Sequence, residues 1–99
     1  MVGARSSAPC PNKMRAREEK LLKYKDYLRD LGKIVKIRAL EAKDERAREQ
    51  EGSTGYHFQC GRLLAFNEVI SILQQQAEGF DINLQDLNLG DIDPDRDLI

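Results

Sequence analysis

The sequence predicts an all-α fold, an antiparallel two-helix hairpin, on three observations. Apolar residues recur at helical spacing in two long segments, a glycine-bounded turn separates those segments, and the apolar rows of the two segments coincide across the hairpin that the turn sets. A helix with one apolar stripe buries it against another element, and a short connection makes the two elements antiparallel neighbours.

Residues 1–12 (MVGARSSAPCPN) are small or proline-rich and lack periodicity, so they read as a flexible leader. Asn12 is a candidate N-cap for a first helix starting near Lys13. Leu21, Tyr24, Leu28, Leu31 and Val35 then follow in alternating steps of three and four, which places them on one helical face. The stripe weakens at its next two positions, Arg38 and Ala42, although most residues around them are strong helix formers. Glu19 with Lys23 and Asp44 with Arg48 are spaced for i,i+4 ion pairs worth a few tenths of a kcal/mol each, and the helix is expected to run over residues 13–50. Gly32 is a possible break, and the β-branched run Lys33–Arg38 alternatively reads as a short strand.

Gly52-Ser53-Thr54-Gly55 ends the first helix and offers Ser53 or Thr54 as a cap for the next. The second helix is expected over residues 56–78, stopping at Gly79. Phe66, Ile70, Leu73, Ala77 and Phe80 form its main stripe, and Ala65, Val69 and Ile72 form a second one beside it. A face this wide implies more than one neighbour. Residues 13–80 thus form the hairpin domain, and residues 81–99 an acidic tail dotted with Ile82, Leu84, Leu87, Leu89, Ile92 and Leu98.

With the turn centred between Ser53 and Thr54, residues i and j of the two arms lie opposite when i + j is about 107. Phe66 then faces Glu41 and Ala42, Ile70 faces Ile37, Leu73 faces Ile34, and Ala77 meets Asp30 beside Leu31. The first helix overshoots the second by about 22 Å at 1.5 Å per residue, displaying Leu21, Leu22, Tyr24 and Tyr27. Two occupants are candidates for this overhang. One is a second copy of the chain, completing a dimeric four-helix bundle. The other is the tail, its aspartates meeting Lys13, Arg15, Arg17, Lys20, Lys23 and Lys25.

The formal net charge of −1 conceals a dipole. Residues 1–50 hold 14 Lys/Arg against 8 Asp/Glu, whereas residues 51–99 hold Arg62 and Arg96 against 9 Asp/Glu. Halves of net +6 and −7 can bind each other or different partners. Two cysteines, Cys10 and Cys60, are too few for a disulfide-stapled secreted domain. The longest apolar run, Leu63–Phe66, is far too short to span a bilayer, and no signal-peptide run opens the sequence. A cytoplasmic protein without membrane association is expected.

Chemistry-bearing constellations are few. His57 and Cys60 share a helical turn but lack the ligand number and spacing of a zinc site, so a half-buried His and a core Cys are the simpler reading. Asp91, Asp93, Asp95 and Asp97 alternate like a calcium loop, yet the sixth position is Arg96, where the loop requires Gly. One histidine and no Gly-rich phosphate loop leave little for acid-base, nucleophilic or cofactor chemistry. Gly61 with Ala65 permits close approach of another backbone, and Asn67 is placed to fix register by a buried hydrogen bond or to face solvent.

The functional expectation is a non-enzymatic interaction module without cofactor or metal, forming a homodimer through Leu21, Tyr24, Leu28, Leu31, Val35, Phe66, Ile70, Leu73 and Phe80. The alternative is a small nucleic-acid-associated protein whose basic first helix contacts phosphate while the acidic tail competes for it.

Overall fold

The computed structural model describes residues 9–99, with side chains from Arg15 onward. Helix α1 runs Pro9–Arg48 and helix α2 runs Thr54–Gly79; a 3-10 turn, η1, spans Leu84–Leu87 and a one-turn helix, α3, spans Pro94–Asp97. The fold is the all-α hairpin the sequence predicts, with no strand among the described residues. Of the leader expected over 1–12, residues 1–8 lie outside the described ones, and Pro9–Asn12 already belong to α1.

The local chemistry of each boundary is visible. Gly52 ends the first arm with φ +84, a conformation that costs a glycine nothing. Ser53 takes the cap position, its Oγ accepting from the Tyr56 N–H at 3.1 Å. At the far end of α2, Gly79 is still helical and Asp81 supplies the left-handed residue, φ 58. The Ile82 N–H donates to the Ala77 carbonyl at 2.7 Å and the Asp81 N–H to the Glu78 carbonyl at 3.1 Å, a Schellman motif that reverses the chain.

Arg62 Nη1 donates to Glu45 Oε2 at 2.6 Å, and 62 + 45 is the register of 107 expected from the turn. The azimuth of α1 differs from expectation. Ile34 and Ile37, expected opposite Leu73 and Ile70, are 46% and 45% exposed, while Ala39 and Ala42 are completely buried. A strict heptad drifts by about 20° per repeat on a straight helix. The buried line therefore steps from Leu31 through Val35 to Ala39 and Ala42, an eleven-residue rather than a seven-residue spacing.

Gly32 neither breaks α1 nor opens a strand at Lys33–Arg38; the helix passes through uninterrupted. The glycine is buried because the tail crosses it. A Cβ at this position would overlap the Leu87 carbonyl oxygen and stand 3.5 Å from Leu89 Cγ. The tail is thus a third layer of the core: Leu89, Ile92 and Leu98 are buried with Ala39, Ala42, Leu63 and Ile70.

Candidate interaction surfaces

Two amides on α2 fasten the tail. Gln74 Nε2 donates to the carbonyls of Leu89 (3.1 Å) and Ile92 (2.9 Å), and Asn67 Nδ2 donates to the Pro94 carbonyl at 2.8 Å. Asn67 therefore sets the position of the tail rather than the register of the hairpin. Seven residues apart, the two amides share one face of the helix. From α1, Lys36 Nζ meets Asp91 at 2.8 Å and Arg46 Nη2 donates to the Ile99 carbonyl at 2.9 Å. Asn88 Nδ2 reaches the Arg29 carbonyl at 3.1 Å.

The tail does fold back on the basic helix, and Asp81 and Asp86 line a trough with Lys25, but among the described residues it forms no ion pair with the overhang's cations. Its ion pair with α1 is at Lys36, and no salt bridge joins it to Arg15, Arg17, Lys20, Lys23 or Lys25; the side chain of Lys13 lies outside the described residues. Those five cations are exposed. The cause is the Schellman turn, which sends the chain from Ile82 back along the groove between α1 and α2, away from the overhang.

The four alternating aspartates each have a separate role. Asp91 pairs with Lys36, whose hydrogen bond holds its carboxyl below the ordinary range. Asp93 caps α3 by accepting from the Asp95 N–H, with Pro94 at the first helical position, where its missing N–H costs nothing. Asp95 stands 3.4 Å from Asn67 Nδ2. Asp97 binds the Arg96 guanidinium through both oxygens and accepts from the Asp93 N–H at 2.9 Å. Arg96 first, then that backbone bond, brings its pKa down to about 2. Among the described residues no three His, Cys, Asp or Glu side chains converge on a metal position. His57 is exposed, its ring edge-on to Tyr56 at 5.9 Å, and Cys60 is half-buried.

The nine expected interaction residues divide into two sets. Leu31, Val35, Phe66, Ile70 and Leu73 are buried or half-buried between the two helices and the tail. Leu21, Tyr24, Leu28 and Phe80 remain 68%, 61%, 40% and 73% exposed. Beneath Phe80 lies an apolar cavity of about 160 Å³, walled by Leu28, Leu31, Leu73, Ala77, Ile82 and Leu89. A shallower trough continues from it along Leu21, Tyr24, Leu28 and Leu87.

A further apolar surface lies on the outward side of α2, where Phe58, Val69 and Ile72 are 64%, 44% and 57% exposed, and Leu64, 65% exposed, stands about 100° around the helix from Ala65. The second stripe, Ala65, Val69 and Ile72, marked it in the sequence, whereas Phe58 and Leu64 belong to neither stripe read there. The amides of Gln74 and Asn67 gave only a weak signal, two polar groups seven residues apart in a charge-poor helix. No helix of the described residues is long and apolar enough to cross a membrane. The chain matches no protein-family model, no curated protein and no solved structure.

Proposed function

We propose that the chain is a non-enzymatic cytoplasmic interaction module that self-associates through helical apolar faces into a four-helix assembly. The observation that carries this reading is the uneven covering of the hairpin. The tail closes one side of the helix pair, while the outward side of α2 and the overhang keep large apolar side chains in water. Contiguous exposed apolar surface on a small protein marks a contact site. Light scattering of the full chain at micromolar concentration should give twice the 11.3 kDa chain mass. A monomeric mass across that range would refute self-association.

A second reading draws on Arg15, Arg17, Lys20, Lys23 and Lys25, which are exposed and free of ion pairs among the described residues. These cations suit phosphate, but a tail that forms no ion pair with them does not support the competitor role. Binding of a short DNA or RNA duplex that weakens steeply with salt would favour this reading, since neutralised phosphates release counterions. Insensitivity to salt, or no binding, would remove it.

A further inference from the structure

We infer that a second copy of this chain seats antiparallel on the outward side of α2, about a twofold axis passing beside Ala65. This rests on the self-association proposed above and names the face that performs it.

The first argument is charge. Between His57 and Ala77 the exposed side of α2 carries Glu68 as its sole ion, Arg62 being half-buried against Glu45 and Gln59. The same side of α1 surrounds Ile34 with exposed Asp30, Arg38 and Glu41. At about 100° per residue, Phe58, Ala65, Val69 and Ile72 fall within a strip some 60° wide, roughly at right angles to the direction of α1. The ion-poor apolar face therefore belongs to α2, at the position a third helix of a bundle would take.

The second argument is self-complementarity. A twofold contact places the same surface on both sides. With Ala65 opposite its own copy, i + j equals 130, which sets Phe58 at the height of Ile72 of the second copy and Gly61 at that of Val69. Large residues meet β-branched or small ones, and the smallest residues lie at and beside the centre, where the backbones must come closest. Gly61 supports this from inside the molecule. Glycine weakens a helix interior, and unlike Gly32, where the tail demands it, a Cβ at Gly61 would meet nothing within 4 Å. The hairpin itself has no use for a glycine there.

The third argument is size. An apolar side chain that gains 1.5–3 kcal/mol on burial at 25 cal/mol per Å² removes about 60–120 Å² from water. Phe58, Val69 and Ile72 on both copies then bury roughly 360–720 Å² of apolar surface, whose upper end is the apolar share of an interface of about 1,200 Å².

Two variants of the full chain test this. Ile72→Glu should raise the dimer dissociation constant by about a hundredfold or more, since a twofold interface counts each substitution twice, with the far-ultraviolet spectrum unchanged. Ala65→Cys, with Cys10→Ser and Cys60→Ser, should form a disulfide-linked dimer in oxidised glutathione, because facing Cα atoms at the axis fall within the roughly 4.4–6.8 Å a disulfide spans; Tyr24→Cys in the same background should not. A dimer that survives Ile72→Glu, or that cross-links through Tyr24→Cys and not Ala65→Cys, would overturn this face while leaving self-association standing. A monomer at every concentration would overturn the self-association itself.

Discussion

Gly32→Ala should change sign with the state of the tail. In an exposed helix interior alanine is favoured over glycine by about 1 kcal/mol, so an isolated α1 would gain from the substitution. With the tail docked, the new methyl overlaps the Leu87 carbonyl oxygen, and the neighbouring segment must lift. The segment carries Leu89, 1% exposed, whose burial is worth about 1.5–3 kcal/mol. The net effect in the native chain is a loss of about 0.5–2 kcal/mol. On a Leu89→Asp background, where the tail is already undocked, the same substitution should stabilise by about 1 kcal/mol. The double-mutant cycle thus carries a coupling of roughly 1.5–3 kcal/mol. Urea melts followed by circular dichroism at one fixed chain concentration measure it, the fixed concentration being needed because association shifts apparent stability. Tryptic cleavage after Arg96, the sole Lys or Arg beyond Arg62, reports release of the tail independently. Equal stabilisation by Gly32→Ala in both backgrounds would refute the docked tail.

Other perturbations follow from the same contacts. Gln74→Ala withdraws the donor shared by the carbonyls of Leu89 and Ile92, and should cost about 1–3 kcal/mol in the same melts; an effect below about 0.5 kcal/mol would mean water replaces the amide freely. Asp81→Gly relieves a left-handed residue at the end of α2 and should stabilise by up to about 1 kcal/mol, whereas a loss would show that the carboxylate is needed there. Acid should loosen the tail before the hairpin. Asp91 and Asp97 have folded pKa values below the ordinary carboxylate range, so their contribution is complete above the unfolded pKa near 3.9 and is lost as pH falls toward the folded values, about 2 for Asp97. Amide resonances of Leu89 and Ile92 followed by NMR from about pH 5 to about pH 1.5 should shift over that window; flat profiles below about pH 4 would refute the coupling.

The hairpin was legible because its determinants are local. Periodicity placed both helices, Gly52 and Ser53 placed the turn, and the turn's centre alone gave the register that Arg62 and Glu45 occupy. The side of α1 that is buried was less legible. A seam extended in heptads from Leu21 arrives at Arg38, whereas the straight helix brings Ala39 inward, and alanine gives almost no hydrophobic signal of its own. Gly32 kept the alternative of a break open for a related reason. A glycine required by a close crossing has the same appearance in sequence as one that stops a helix, and the crossing partner, Leu87, lies 55 residues away. The tail's course depends on Asp81 adopting a conformation usually given to glycine, which pointed the eye to Gly79 instead.

The position of the tail shows which force decides between two plausible docks. Its aspartates and the overhang's cations are opposite in sign, and charge alone favours bringing them together. Exposed ion pairs contribute about 0–1 kcal/mol each, and attraction between exposed charges fades over a Debye length of about 8 Å at physiological salt. Leu89, Ile92 and Leu98 are 1%, 7% and 1% exposed where they lie, and each such burial is worth about 1.5–3 kcal/mol. Only the groove between α1 and α2 supplies apolar walls on two sides, because along the overhang α2 has already ended. Burial therefore selects the groove, Lys36 pairs with the one aspartate that passes it, and the cations from Arg15 to Lys25 stay exposed without ion pairs among the described residues. An added acidic residue at the end of the tail should leave this arrangement unchanged, whereas Leu98→Asp should release the last turn even though it adds the charge that the overhang would attract.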